Sequence, residues 1–296
     1  LLISDKGELA LVLPELESGK LADVTLDISA YAYGDNPQER PAAFKRAAEH
    51  LQLPGEVLGV EPTRMRFLEM MYLQDALPGK TFADASNCLA GLRICKDETE
   101  IDHMRKAAVI AQNALLATLQ KMHAGITEKE VANQLIIELL SVGSGSELPF
   151  APIVAFGENS ANPHSTPTER PLKLGDLVLF DWGASWEGYF SDITRTFTFG
   201  EVDSELVKIG ELVLQANAAG RKAGQPGLEI GAVDRAARKV ISDGGYGEAF
   251  THRTGHGLGM EAHEEPYVYG ANPLTLEVGM VYTVEPGIYL AGKGGV

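Results

Sequence analysis

The sequence predicts an α+β protein in which a small α/β domain precedes a larger domain of helix pairs and antiparallel hairpins. Three observations support this prediction. A helix–helix–strand order occurs twice after residue 96, an apolar hairpin spans residues 177–199, and short strand and helix patterns alternate over residues 1–95. Mixed helices and antiparallel hairpins favour an α+β layer fold. We therefore place the domain boundary between residues 95 and 96.

Composition narrows the functional classes. The 296 residues suffice for one large or two modest domains, and the apolar fraction of 45% is ordinary for a globular protein. Acidic residues outnumber basic ones by 41 to 25, and the resulting formal charge of −16 argues against a nucleic-acid or membrane partner. No apolar run approaches the roughly 20 residues of a membrane-spanning helix.

Two further features concern location and completeness. Cys88 and Cys95 lack CxxC spacing, which predicts buried or inert thiols in a reducing compartment and hence a cytoplasmic protein. The chain opens inside a strand pattern without an initiator methionine, so we expect the true N-terminus to lie outside this sequence.

The first 95 residues follow a simple order. A hairpin should turn at Asp5–Gly7, and apolar residues at three-to-four spacing predict a helix from about Pro41 to Leu51. A strand at Glu56–Val60, a helix at Thr63–Leu73 and a strand or turn at Thr81–Ala85 follow. Because no His, Asp, Glu or Cys cluster has ligand spacing here, we expect a structural or dimerising domain.

The larger domain opens with two helices that carry capping signals. Asp97 with Glu100, and Thr127 with Glu130, have capping-box spacing. The first helix should end at Gly125 and the second near Gly143. The remaining predicted elements are a strand at 150–156, helices at 203–223 and 229–242, and a strand at Met280–Val284.

The hairpin LVLFDWGASWEGYFSDITRTFTF, which turns at Gly188, carries Asp181 and Asp192 in apolar or β-branched surroundings. Buried carboxylates need a partner, and two that face each other across a ladder need a shared proton or a cation. The alternative is that both aspartates are solvated turn residues at strand ends.

Further candidate ligands follow. His252, His256 and His263 lie within twelve residues, with glycines around His256 that would let backbone approach an occupied site. Glu285 ends an apolar strand, although it could be a solvated turn residue, and His164 lies in a loop. Two aspartates, one histidine and a glutamate suit Mn²⁺, Co²⁺, Fe²⁺ or Zn²⁺ with open positions. A bridging carboxylate favours two ions.

Three motifs carry a resemblance to a known family. The segments LGDLVLFDWGASWEGYFSDITRTF, HRTGHGLGMEAHEEP and VYTVEPGIY resemble the proline-specific pita-bread metallopeptidases, which are the Xaa-Pro aminopeptidases and the Xaa-Pro dipeptidases or prolidases. The resemblance implies a pita-bread catalytic domain over residues 96–296 and a creatinase/prolidase-type N-terminal domain over residues 1–95.

The resemblance also implies roles for individual residues. Asp181 would bind one ion, Asp192 would bridge both, and His256 and Glu285 would bind the second. The implied cofactor is a pair of divalent ions, with Mn²⁺ favoured over Co²⁺ or Zn²⁺. The family has a further bridging glutamate shortly after a glycine pair like Gly294–Gly295, so we expect a fifth ligand beyond Val296.

The implied reaction is attack on an Xaa-Pro bond by a hydroxide held between the ions. In it Glu285 exchanges the proton, His263 and His252 hydrogen-bond the substrate, and His164 faces the proline. Trp182 and Tyr267 either line the pocket or pack in the core. Many prolidases carry an arginine where this chain has Tyr267, which favours an aminopeptidase acting on longer peptides over a dipeptidase.

Other members of this fold explain the sequence less well. Methionine aminopeptidases typically lack the N-terminal domain, and creatinase works without metal. A non-catalytic binding protein on the same fold would tend to lose ligands that this chain keeps. The resemblance further implies a homodimer that acts on peptides with proline in the second position.

Overall fold

The computed structural model describes residues 1–296, which form two compact units, Leu1–Leu89 and Ala90–Val296. The first unit has two small sheets and two helices. In one sheet β2 pairs antiparallel with β1 and parallel with β3, and in the other β4 and β5 are parallel. The elements are β1 (Leu2–Ile3), β2 (Leu9–Pro14), β3 (Ile28–Tyr33), α1 (Arg40–Leu51), β4 (Val57–Val60), α2 (Phe67–Ala76) and β5 (Thr81–Asp84). A further helix, α3 (Ser86–Arg93), spans the division between the units.

The order predicted for the first unit is confirmed with one shift. The hairpin turns where expected, since the Gly7 amide donates to the Ser4 carbonyl. The helix predicted from Thr63 begins only at Phe67. Residues 61–65 form a separate turn closed on the Glu61 carbonyl, and Arg66 then adopts an extended conformation that interrupts the helix.

The second unit begins with the two predicted helices, α4 (Glu98–Leu119) and α5 (Glu128–Ser141). Both capping boxes are present, and in the first the Glu100 amide donates to Asp97 Oδ1 over 2.9 Å. The end predicted for α4 at Gly125 is wrong by about two turns, because the chain leaves the helix after Leu119 and reaches Gly125 through a turn.

Five strands follow, and three of them form the central sheet. They are β6 (Ile153–Phe156), β7 (Asp176–Trp182), the short hairpin β8 (Ser185–Trp186) and β9 (Tyr189–Phe190), and β10 (Ile193–Phe199). The sheet order is β10–β7–β6, with both pairings antiparallel. β6 begins later than predicted, because Pro152 has no N–H to donate to the ladder.

The helix–helix–strand order then recurs as predicted. Helices α6 (Ser204–Ala223) and α7 (Gly231–Asp243) are followed by β11 (Gly255–Gly257), β12 (Glu264–Val268), β13 (Tyr289–Leu290) and β14 (Gly294–Gly295). The strand predicted at Met280–Val284 is not continuous. Met280 forms an isolated bridge with Cys95 and Tyr282 forms one with Gly257, so the segment pairs with two different partners and not along one strand.

Period-two alternation along β7 separates a core from a cavity. Val178, Phe180 and Trp182 are buried in one apolar cluster with α4 and α5. Leu177, Leu179 and Asp181 project from the other face and line a cavity. The sheet therefore places Asp181 on a rigid strand at the cavity wall.

Two general expectations can be compared with the structure. Both cysteines are free, but they are exposed, so the prediction of buried thiols is wrong. None of the helices combines the length and the apolar character needed to span a membrane.

Candidate metal centre

One cavity of about 1520 Å³ in the second unit is lined by all seven site residues that were predicted within the sequence. The walls come from β7, β10, α6, the loop before β7, and the segments around β11 and β13. The predicted site residues that line it are Asp181, Asp192, His164, His252, His256, His263 and Glu285.

The two aspartates come from neighbouring strands, but they are not directly opposed. Asp181 pairs with Thr194 in the β7–β10 register, and Asp192 lies two residues before Thr194. Residues two apart on a strand share a face, so Asp192 lies diagonally across from Asp181 on the cavity side. Both carboxylates are largely removed from solvent, and Asp181 Oδ1 has no hydrogen-bond partner.

His256 lies in the middle of β11 and is buried. Its Nδ1 lies 2.9 Å from the Gly257 carbonyl oxygen, which can only accept, so Nδ1 carries the proton. Its Nε2 lies 3.1 Å from Glu285 Oε1 and 3.5 Å from Asp192 Oδ2. Ligand atoms of these three residues lie within 4.8 Å of one another.

The glycines beside His256 serve backbone packing. A Cβ at Gly255 would clash with the Thr283 carbonyl oxygen, and one at Gly257 with the Glu265 carbonyl oxygen. β11 is thus held between β12 and the segment that leads to Glu285. The room that the sequence suggested for a ligand is used by neighbouring backbone.

Thr283 joins His256 to Glu285. Its hydroxyl donates to Glu285 Oε1 over 2.9 Å and accepts from the His256 amide over 3.0 Å. The Thr283 amide donates to the His256 carbonyl, and the Glu285 amide donates to that of Thr254. The glutamate is therefore fixed to β11 by main-chain and side-chain hydrogen bonds, although no continuous strand carries it.

The site is strongly anionic, and without a metal ion its side chains retain protons. Burial, with repulsion from Asp192 and Glu285, raises the pKa of Asp181 to about 8. Burial also raises the pKa of Asp192. Burial alone would lower the pKa of His256, but its hydrogen bonds to Asp192 and Glu285 raise it to about 10. Glu285 keeps a lowered pKa, because the bond to His256 outweighs its burial.

Comparison with known proteins shows which family has this site. Residues 102–296 match the model of metallopeptidase family M24, and residues 1–95 match the creatinase/prolidase N-terminal domain. The chain belongs to metallopeptidase family M24. Its second unit accordingly has the pita-bread fold, and the smaller first unit precedes it.

Relatives named for a peptidase activity are similar over nearly the whole chain. A putative dipeptidase of Bacillus subtilis is 38% identical over 100% of this chain and 81% of its own length. A prolidase structure from Thermococcus sibiricus has a TM-score of 0.91 at 35% identity, covering 98% of this chain and 78% of that one. An Xaa-Pro aminopeptidase structure from Thermotoga maritima has a TM-score of 0.84 at 31% identity, covering 97% and 80%.

The M24 chain presents a donor set that fits divalent ions. The hydrogen bond from Nδ1 of His256 to the Gly257 carbonyl orients the ring so that Nε2 faces the carboxylates, as such bonds do for ligating histidines, and Nε2 can bind an ion once it loses its proton. Asp181 Oδ1 is a buried oxygen without a hydrogen-bond donor. Three carboxylates and one imidazole suit hard or borderline cations with open positions.

The other three histidines of the predicted site lie around this cluster and differ in how firmly they are held. His252 donates from Nδ1 to the Arg253 carbonyl over 2.7 Å, and its Nε2 lies 2.9 Å from the Tyr289 hydroxyl. The His263 ring centre lies 4.0 Å from that of His256. Burial and the charge of His256 lower the pKa of His263, so it is neutral near pH 7. His164 is exposed in its loop.

Sequence reasoning missed several contributors. Thr283 and Tyr289 lie inside the motif VYTVEPGIY and could have been examined there, whereas nothing local marked the partners of Glu264, the residue after His263. Glu264 is buried between Lys96 and Arg93, at 2.6 Å from each. Neither suggested pocket aromatic lines the cavity: Trp182 donates to the Ala111 carbonyl inside the core, and Tyr267 packs against Arg253.

Proposed function

We propose that this M24 chain is a dinuclear-metal peptidase that hydrolyses Xaa-Pro bonds and acts as an Xaa-Pro dipeptidase. The single observation that supports it most is the convergence of Asp192, His256 and Glu285 within 4.8 Å, beside Asp181, in a cavity that also contains three histidines. The prolidase and the putative dipeptidase among its relatives agree with this substrate class.

Asp181, Asp192, His256 and Glu285 would hold the ions, with Asp192 between them. When bound, divalent ions lower the pKa of a water molecule and polarise the scissile carbonyl. We propose that both ions are Mn²⁺, with Co²⁺ or Zn²⁺ as alternatives. β7, β10 and the hydrogen bonds of Thr283 fix the backbone that carries these carboxylates, so the carboxylates would hold the ions in a fixed arrangement.

Proton handling falls to Glu285 and the histidines. The lowered pKa of Glu285 keeps its carboxylate ionised near neutral pH, so it can accept a proton from water and return it to the leaving imino nitrogen. Neutral His263 offers an N–H to the substrate carbonyl without adding charge. The Tyr289 bond fixes the ring of His252 at the cavity wall, and His164 would contact the proline side.

An Xaa-Pro aminopeptidase is the second candidate. The observation that favours it is Tyr267, which stands where many prolidases carry an arginine. The relatives favour the dipeptidase: the Thermotoga aminopeptidase is less similar than the Thermococcus prolidase in both identity and TM-score. We therefore reverse the preference for an aminopeptidase that the sequence suggested.

Hydrolysis by the full-length, Mn²⁺-loaded protein tests the proposal. We expect Ala-Pro to be cleaved with a higher kcat/KM than Ala-Pro-Ala, and Ala-Ala to be a poor substrate. A preference for the tripeptide would favour the aminopeptidase. Absence of cleavage of every Xaa-Pro peptide, or fewer than one equivalent of ion after Mn²⁺ or Co²⁺ loading, would contradict a dinuclear hydrolase.

Two further properties belong to the same proposal. We propose a cytoplasmic protein, in keeping with two cysteines that are both free thiols. We also propose a homodimer, as the family resemblance implies. Sedimentation of the purified protein checks the second point directly.

A further inference from the structure

Arg253 lines the cavity, and its guanidinium forms no ion pair within the chain. Arg195 and Arg221 also line the cavity without an ion pair, but of these three arginines only Arg253 is stacked on an aromatic ring. Arg93 is paired with Glu264, Arg170 with Asp176, and Arg238 with Asp234. The Arg253 guanidinium instead lies over the ring of Tyr267, 4.6 Å from its centre. In a chain with a formal charge of −16, an arginine without a carboxylate partner is available to an anionic ligand.

The backbone around Arg253 is held firmly. On one side the Arg253 carbonyl accepts from His252 Nδ1 over 2.7 Å. On the other, the amide and hydroxyl of Thr254 donate to the buried carboxylate of Asp234 over 3.1 and 2.7 Å. The Cα of Arg253 is therefore fixed, and only its exposed side chain is free to adjust.

The guanidinium shares the cavity with the proposed catalytic groups. Arg253 lines the same cavity as His263 and Glu285, and its charge contributes to lowering the pKa of His263. Tyr267 is half-buried and provides a flat surface for the guanidinium. A guanidinium stacked on a ring keeps its N–H groups directed outward, in the planar fork that matches a carboxylate.

We propose that Arg253, positioned by Tyr267, binds the free α-carboxylate of the substrate and so restricts cleavage to peptides whose second residue is the last. This inference rests on the proposed Xaa-Pro peptidase function and names the group that determines substrate length. It assigns Tyr267 a role as a platform for Arg253.

Comparison of an acid with its amide isolates the carboxylate. In the Mn²⁺-loaded full-length protein, Arg253→Met should raise the KM for Ala-Pro by about 10- to 100-fold, the range expected for losing a charge-assisted hydrogen bond. The KM for Ala-Pro-amide should change by less than about twofold, because the amide has no anionic group to lose. The KM of Arg253→Lys for Ala-Pro should lie between those of wild type and Arg253→Met, since lysine keeps the charge but lacks the planar fork of N–H groups.

Two further variants test whether the position of Arg253 on Tyr267 matters. Arg221→Met is the matched control, because Arg221 is exposed on α6 and lines the same cavity, and this change should leave both KM values unaltered. Tyr267→Leu should raise the KM for the acid by less than Arg253→Met does. Equal effects of Arg253→Met on acid and amide, or no effect on either, would overturn the proposal.

A binding measurement keeps this test separate from that of the proposed function. Calorimetry of L-proline and L-prolinamide with the Mn²⁺-loaded protein should show that wild type favours proline and that Arg253→Met does not. If no Xaa-Pro peptide is turned over, the proposed function fails, and the calorimetric comparison still decides the role of Arg253. Equal binding of both ligands to wild type would overturn that role.

Discussion

The Nε2 atom of His256 lies 3.1 Å from Oε1 of Glu285, so the imidazole is the hydrogen-bonded countercharge of the carboxylate cluster. The same interaction explains why the pKa of His256 is raised to about 10 and that of Glu285 is lowered. A divalent ion that binds Nε2 must displace this proton, because ligating histidines are neutral. Protons and metal ions therefore compete for one position.

The chelator-treated protein should lose stability as pH rises. The pKa of Asp181 is raised to about 8 and that of His256 to about 10, so the folded state binds more protons than the unfolded chain between about pH 4 and 10. We expect a lower Tm by calorimetry at pH 9 than at pH 6. His256→Gln should remove the contribution of the histidine, which lies between about pH 6.5 and 10, and leave the contribution of Asp181, which ends near pH 8. A Tm that rises over this interval in the metal-free protein would contradict the assignment.

Asp192→Ala tests the bridging position. Because Asp192 contacts His256 and lies diagonal to Asp181, its loss should affect both ions. We expect turnover to fall by more than about 100-fold, beyond the usual cost of losing an outer-shell partner, and the bound metal to fall below one equivalent by elemental analysis. Asp243→Ala, on the exposed end of α7, is the control and should retain both. Activity retained in Asp192→Ala would show that the bridge is misassigned.

The sequence allowed the site to be predicted where local pattern and chain order determine it. An apolar strand with a terminal carboxylate predicts β7 and Asp181, and three motifs in sequence predict that Asp192, His256 and Glu285 converge. Alternation also explains the fate of Trp182: one residue after Asp181, it must face the core if Asp181 faces the cavity.

Contacts that join distant segments could not be predicted. Glu264 and Lys96 are 168 residues apart, and no periodicity links them. The glycines of β11 were interpreted as room for a ligand, because the approach of Thr283 and Glu265 is visible only in the fold. Likewise, a glutamate in the first turn of α5 is typical of a solvated residue, yet Glu128 is fully buried.

Glu128→Gln should disturb the loop that carries His164. The Glu128 carboxylate accepts from the Phe156 amide before the loop, and from the amide and hydroxyl of Thr168 after it, at 2.6 to 2.9 Å. Glutamine would place an N–H₂ group against these donors. We expect a loss of about 2 kcal/mol in the free energy of unfolding in urea and a raised KM for Ala-Pro. Glu158→Gln, an exposed change on the same loop, should alter neither.

Lys96→Met tests the buried ion pair behind His263. The Lys96 side chain is only 2% exposed, and its ammonium lies 2.6 Å from Glu264 Oε1, while Arg93 binds Oε2. Removing one partner of a buried pair leaves an uncompensated charge, which typically costs about 3 to 5 kcal/mol. Because Arg93 still binds Glu264, we expect a loss at the lower end of this range, about 3 kcal/mol, in the free energy of unfolding measured in urea. The double variant Lys96→Met/Glu264→Gln should recover part of that loss, since the buried carboxylate is removed and Arg93 keeps its ion pair with Glu261. If both proteins were equally destabilised, the cost would come from packing around Lys96 and not from the charge left on Glu264.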